Sequence, residues 1–183
     1  MHKRAMLRIG LWLAALVLVL DQTAKFFVLE VLHFSPPGCL RFAANCGAIE
    51  MSPLFDLRMV WNYGVSFGML RAGGDLSRWG LVILSALIAG MFFNWLRTAD
   101  RKLTAVALGL VIGGALGNMI DRIRFGAVAD FFDFSGLFFP WVFNVADAAI
   151  TVGAGLLALD FIVQGRAERR AAGQAGNASP PAQ

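Results

Sequence analysis

Four apolar runs, each close to twenty residues long, leave a chain of this kind few places to go. They are Ile9 to Leu29, Trp79 to Leu96, Leu103 to Ile120 and Trp141 to Val163. A bilayer core about 30 Å thick takes roughly 20 residues of helix to cross. Inside it, every backbone N–H and C=O must be paired within the protein. The runs therefore predict an α-helical membrane protein with four transmembrane helices. Composition agrees: of 183 residues, 58% are hydrophobic and 15% charged, where a soluble domain carries about 25% charge. So short a chain cannot bury that much apolar surface in a water-facing globule. Residues 1–165 are expected to form a single membrane-embedded domain. Residues 166–183, rich in Ala, Gly, Pro and Gln, are expected to be a disordered cytoplasmic tail.

The first run follows a basic start (His2, Lys3, Arg4, Arg8) and has the look of a secretory signal. No small-residue cleavage site follows it; the chain continues Asp21-Gln-Thr-Ala-Lys25-Phe-Phe-Val-Leu29. It is read as a retained span. The net charge of +4 and pI near 9.7 do not come from a nucleic-acid patch, because the basic residues sit at the ends of apolar runs. They serve topology instead, and no nucleic-acid partner is expected. Positive charge at the N-terminus, in the 97–102 connection and at 166–170 places both termini in the cytoplasm. The segments Glu30–Arg78 and Asp121–Pro140 then lie outside.

Within the longer outer segment, Ser35-Pro-Pro-Gly38 breaks any helix. Asp56 to Trp61, then Asn62-Tyr-Gly64, then Val65 to Leu70 reads as strand, turn, strand, with Leu57, Met59 and Trp61 on one face. This predicts a small extracytoplasmic β-sheet, with Asn62 serviceable as a turn residue. Cys39 and Cys46 can close a short disulfide loop in an oxidising compartment. With His33 alone nearby they make no metal site, and no Cys/His nucleophile is legible. The pieces Phe131-Phe-Asp-Phe and Leu137-Phe-Phe-Pro-Trp141 read as interfacial aromatics.

Polar residues concentrate between Gly113 and Ile150: Asn118, Asp121, Arg122, Arg124, Asp130, Asp133, Asn144 and Asp147. Charged side chains at membrane depth are functional candidates by default. Asn118/Asp121 and Asn144/Asp147 are two Asn-x-x-Asp units, each presenting an amide and a carboxylate on one helix face, and Asp21 and Lys25 are spaced to pair. The topology brings Asp21, Lys25, Asn62, Asn118, Asp121, Arg122, Asp130, Asn144 and Asp147 to one level near the outer surface. Two carboxylates brought close share a proton. The ionised one can take a proton from an attacking water while the other donates to an amide carbonyl. Asp147 can pair with Asp130, seventeen residues earlier and within reach through a re-entrant loop, or with Asp121. The adjacency of Asp121 to Arg122 favours an ion-paired, structural role. Asp133 reads as a solvated charge, and Asp160 as a helix-end residue.

Four ordered motifs carry a resemblance: Asn62-Tyr-Gly-Val-Ser-Phe-Gly68, Gly113-Gly-Ala-Leu-Gly-Asn-Met-Ile-Asp-Arg122, Gly126-Ala-Val-Ala-Asp-Phe131 and Phe143-Asn-Val-Ala-Asp147. Together with Asp21 and Lys25, and over residues 8 to 163, the chain resembles lipoprotein signal peptidase (signal peptidase II). The resemblance implies a four-span aspartyl protease with a small outer sheet that cradles substrate. It implies that Asp130 and Asp147 are the catalytic pair, and that Asn62, Asn118, Arg122, Asn144 and Val128 stand at substrate-side positions. The implied reaction removes signal peptides from diacylglyceryl-modified prolipoproteins, just before the lipidated cysteine, at the outer face of the bacterial cytoplasmic (inner) membrane. Membrane lipid and globomycin-type peptide inhibitors are the implied partners, and no cofactor or metal is implied. The stretch around residues 35–50 is longer than is usual for the family, and Ala129 stands where Val is common. Membrane aspartyl proteases with Gly-x-Gly-Asp do not fit, since Ala72-Gly-Gly-Asp75 and Val128-Ala-Asp130 lack that pattern. A proton-coupled carrier, the competing class, would hold its carboxylates near the bilayer midplane.

Overall fold

Each apolar run becomes a helix in the computed structural model, which describes residues 2–34, 45–64 and 75–177. Helix α1 spans His2–Phe26 and ends in a π-helical turn, Phe27–Val31. Helices α2 (Asp75–Thr98), α3 (Lys102–Phe125) and α4 (Val145–Asn177) follow. All four are long and apolar enough to cross a membrane. Of the apolar stretch of α3, 67% is buried within the protein, against 17–28% for the other three. So α3 is the axis, and the others wrap it with their outer faces toward lipid.

Small residues allow this close approach. A side chain at Gly113 would meet Ala14 O at 2.6 Å and Val17 Cβ at 2.8 Å, and one at Gly109 would meet Gly10 O at 2.5 Å. On the other flank, Gly114 lies against the Ala146 carbonyl of α4. In lipid, where no hydrophobic force drives helices together, such backbone contact supplies the association. At the C-terminus of α3, Gly126 takes the left-handed conformation (φ 82°) and donates its N–H to Arg122 O. Arg78 of α2 donates to the carbonyls of Arg122 and Ile123, at 2.8 and 2.5 Å, satisfying end groups the helix leaves open.

Beyond one end of the bundle lies a four-stranded antiparallel sheet in the order β1 (Asn45–Glu50), β2 (Asp56–Asn62), β3 (Val128–Asp133), β4 (Val142–Phe143). Met59 and Trp61 face inward and pack with Val28, Ala127, Ala129 and Phe131. The predicted alternation in β2 is present, and so is the turn: Gly64 has φ 86° and donates to Asn62 Oδ1 at 2.9 Å. The second predicted strand, Val65–Leu70, lies outside the described residues, as does the question of a Cys39–Cys46 disulfide. β2 pairs instead with β1 and with β3, so the Asp130 segment is a sheet strand rather than a re-entrant loop.

Other expectations are corrected. α4 starts at Val145, not Trp141, because Val142 and Phe143 pair with β3 and Asn144 caps the helix. It continues to Asn177, through residues expected in the tail, where Ala, Arg, Glu and Gln favour helix and no proline intervenes before Pro180. Asp133 is buried rather than solvated: Arg58 Nε lies 2.6 Å away and the Ser135 N–H donates at 2.8 Å. Asp160 is also buried, taking hydrogen bonds from Thr104 (2.6 Å) and Gln164 (2.8 Å) with Arg101 at 2.7 Å. It pins α3 to α4 at the end of the bundle opposite the sheet. At the sheet tip, Phe138 (98% exposed), Phe139 and Trp141 project outward, as interfacial aromatics do.

The close helix contacts generate a stability test. Gly113→Leu forces α1 and α3 apart and costs about 1–3 kcal/mol or more, which thermal unfolding in detergent reads as a lowered transition. Gly155→Leu, which meets open space, leaves the transition in place.

Candidate functional site

The polar residues of all four motifs meet where the sheet rests on the bundle. Asp130 sits in β3, opposite Val60 of β2. Asp147 occupies the first turn of α4. Asn144 joins them. Its Oδ1 accepts the Asp147 N–H at 2.9 Å, and Asp147 Oδ2 accepts the Asn144 N–H at 3.4 Å. This reciprocal pattern is a capping box, the Asn-x-x-Asp spacing put to use at a helix start. The Asn144 Nδ2 then donates to Asp130 Oδ1 at 2.7 Å. One amide thus caps the helix that carries one acid and holds the other.

Two further amides complete the frame. Asn62 Nδ2 donates to Asp130 Oδ2 at 3.1 Å, and Asn118 Nδ2 donates to Asp147 Oδ1 at 2.7 Å. Each amide oxygen is already committed: Asn62 to the Gly64 N–H, Asn144 to the Asp147 N–H, Asn118 to Lys25 Nζ (3.4 Å) and Asn144 Nδ2 (3.2 Å). Those commitments turn every NH2 toward an acid, so no amide can flip without losing both its bonds.

Beneath the pair lies a buried charge cluster. Lys25 Nζ is 2.8 Å from Asp21 and 2.7 Å from Asp121, with all three side chains at most 3% exposed. Asp121 is therefore ion-paired as expected, but to Lys25 rather than to its neighbour Arg122. Gln22, which was not singled out above, donates to Asp21 Oδ2 and Asp121 Oδ1, both at 3.1 Å. Its proximity to Asp21 and Lys25 on one helix face was the available signal. Val128 is buried in β3 opposite Asn62.

Arg122 faces the pair from α3. Its Nη1 reaches Asn118 O at 3.4 Å, and its buried Nε has no hydrogen-bond partner among the described residues. Asn118 and Arg122 also line a cavity of about 280 Å³ whose remaining wall is apolar apart from Ser85, including Leu84, Ile88, Val111 and Ala115. A larger cavity of about 500 Å³ between α1, α2 and α3 is apolar throughout and holds none of these polar residues.

Burial, and then the charge of Asp147, push the Asp130 carboxyl up to about 7; bonds from Asn62 and Asn144 and the Lys25 charge pull the other way. A carboxyl raised this far can be protonated or ionised near neutrality, as a proton-transferring group needs to be.

Comparison with known proteins bears on what this arrangement serves. A family model described as signal peptidase (SPase) II matches residues 13–163. The chain belongs to the signal peptidase II family. Among curated relatives, the lipoprotein signal peptidase of Rhizorhabdus wittichii is 49% identical over 153 residues, covering 82% of this chain and 84% of that one. The lipoprotein signal peptidase of Caulobacter vibrioides is 46% identical over 149 residues, with 81% and 83% covered. A solved bacterial membrane enzyme, determined by the in meso method at 2.3 Å resolution, superposes with a TM-score of 0.69 at 23% identity, covering 85% of this chain and 88% of that chain. Another, at 1.9 Å, gives 0.66 at 25% identity, with 83% and 91% covered. As a signal peptidase II family member with four membrane-crossing helices, the protein is a multi-pass membrane protease.

The charge cluster yields a prediction for this family member. Lys25→Met strands two carboxylates in a dry site and lowers stability by about 3–5 kcal/mol. Adding Asp121→Asn recovers part of the loss, measured as unfolding temperature in detergent.

Proposed function

We propose that this protein is an aspartic endopeptidase that removes signal peptides from diacylglyceryl-modified prolipoproteins, cutting just before the lipidated cysteine. Asp130 and Asp147 are the catalytic pair. The observation that carries the reading is the single amide of Asn144, bonded to Asp130 and to Asp147 at once. It supports a shared site for the two acids. Asp121, the competing partner for Asp147, is tied instead to Lys25 and the Ala129 N–H.

At rest the pair carries one proton. A water between the acids loses a proton to the ionised carboxylate as its oxygen attacks the scissile carbonyl carbon. The protonated carboxyl gives its proton to the carbonyl oxygen, producing a neutral tetrahedral adduct. Collapse breaks the C–N bond: the hydroxyl proton returns to the pair, and the proton first taken from water passes to the leaving amine. The pair ends as it began. Arg122 and Asn118 stand beside the acids for polar backbone groups of the substrate, while the apolar wall of their cavity suits lipid or signal-peptide side chains. Asn62, Asn118 and Asn144 keep the carboxylates oriented, and Asp21, Lys25 and Asp121 support them from below.

Basic residues at the N-terminus, the 97–102 connection and the α4 end support a topology with both termini in the cytoplasm and with the sheet and pair at the outer face of the bacterial inner membrane. Globomycin-type peptides would occupy the same site, in contact with the acids.

Asp130→Asn or Asp147→Asn lowers turnover of a purified lipid-modified prolipoprotein by roughly 10²–10⁴-fold or more, while globomycin-type inhibitor binding persists as a sign of folding. Wild-type turnover in either variant removes that acid from the reaction. Activity declines as pH rises past about 7, because the pair then loses its proton; a profile flat to high pH overturns the shared-proton scheme. The same shift has a stability consequence. The folded Asp130 keeps its proton up to about 7, whereas its unshifted value is 3.8. Folding therefore takes up protons in that window, and stability falls as pH rises through it. Asp130→Asn removes the loss, so its unfolding temperature at pH 8 matches or exceeds that of the wild type.

A further inference from the structure

Two backbone amides, each one residue ahead of a proposed catalytic acid, are held by the two carboxylates of the buried cluster. Asp121 Oδ2 accepts the Ala129 N–H at 3.2 Å, directly before Asp130. Asp21 Oδ1 accepts the Ala146 N–H at 3.0 Å, directly before Asp147. The two carboxylates are linked twice. Lys25 Nζ bridges their Oδ2 atoms at 2.8 and 2.7 Å. Gln22 Nε2 bridges Asp21 Oδ2 and Asp121 Oδ1 at 3.1 Å each, with a third contact to Gly117 O at 3.3 Å. Each carboxylate thus takes one bond from an ammonium, one from a side-chain amide and one from the backbone. Gly117 lets the bridge sit this low, since a Cβ there would meet Asp21 Oδ2 at 2.5 Å.

We infer that Gln22 and Lys25 are positioning residues that set the separation of Asp130 and Asp147, through Asp121 to Ala129 on one side and Asp21 to Ala146 on the other. This rests on the aspartic-peptidase reading above. β3 and the start of α4 are already joined above by the β3–β4 pairing and by Asn144 Nδ2 donating to Ala129 O at 3.3 Å. The bridge adds a tie from below to the residue before each acid, and so fixes the spacing from the side that those bonds leave open. Neither Gln22 nor Lys25 donates to Asp130 or Asp147 in the described contacts, so both act at one remove. Lys25 supplies the positive charge of the bridge, leaving Gln22 as the purely geometric tie. That division makes Gln22 the residue to test.

Gln22→Met keeps the length of the side chain and removes its hydrogen bonds, while Lys25 still pairs with both carboxylates. In detergent, with a purified lipid-modified prolipoprotein, kcat falls roughly 10- to 100-fold, the scale of a small misplacement of reacting groups, and KM stays at the wild-type value. The alkaline limb of the pH–rate profile moves to lower pH, because acids that drift apart share their proton less tightly. The other charged groups facing Asp130, Lys25 of α1 and Arg122 of α3, are untouched by this change. Lys25→Arg keeps the charge but spaces the two carboxylates differently, and it lowers kcat with the same shift; it decides the matter alone if Gln22→Met does not fold. Wild-type kcat, or a lower kcat with the alkaline limb unmoved, overturns the inference, since loss of folded enzyme alone cannot move the limb. Turnover by Asp130→Asn or Asp147→Asn would instead sink the peptidase reading; with both inactive, the Gln22 and Lys25 results speak only to positioning.

Discussion

An ammonium buried between two carboxylates sets the terms for everything around it. Lys25, Asp21 and Asp121 are almost fully withdrawn from solvent, and each ion removed from water carries a desolvation penalty of several kcal/mol. Such a cluster survives only if every remaining lone pair and proton is spoken for. Here the bonds that complete it come from Gln22, from the Ala129 and Ala146 backbone and from Asn118. They tie α1, α3, β3 and α4 together at one point. Hydrophobic residues of equal volume are often no less stable than such a cluster, which fits the positioning role inferred above better than a role as a source of stability.

From that point upward, orientation passes through amides rather than charges. An asparagine has a donor end and an acceptor end, and fixing one fixes the other. Three of them, drawn from β2, α3 and the start of α4, have their oxygens held by nearby donors and so offer only N–H to the acids. The frame is electrically neutral. It orients two carboxylates without imposing a strong charge pairing on either, and burial, with the charge of Asp147, is left to raise the affinity of Asp130 for a proton.

Much of this was legible in the sequence, and the exceptions share a cause. The four helices follow from apolar length alone, because lipid gives the backbone no alternative partner. Convergence of Asp21, Lys25, Asn62, Asn118, Asp121, Arg122, Asn144 and the two later acids at one level follows from counting spans. β3 was missed because nearly all of its residues are buried on both faces, which erases the two-residue alternation that marks a half-exposed strand. Phe131 and Phe132 then read as interfacial aromatics when they are sheet residues. Asp133 read as a solvated charge and Asp160 as a helix-end residue because their partners, Arg58 and Arg101, lie 75 and 59 positions away along the chain. For the same reason Asp121 was matched with its neighbour Arg122 instead of with Lys25. Local spacing recovers contacts within a helix, such as Asp21 with Lys25, and is blind to those that only packing creates.

The exposed rings at the sheet tip tie chemistry to the bilayer. Phe138, Phe139 and Trp141 are separated from the Asn144 cap by only a few residues of β4, so there is little slack between them. Aromatic rings settle at headgroup level, and the draught at which they float is handed on to Asp147 and its partner. A leaflet that thickens or thins raises or lowers the waterline against these acids. On the aspartic-peptidase proposal, the membrane itself thereby becomes the ruler that decides which bond of an anchored chain comes level with them.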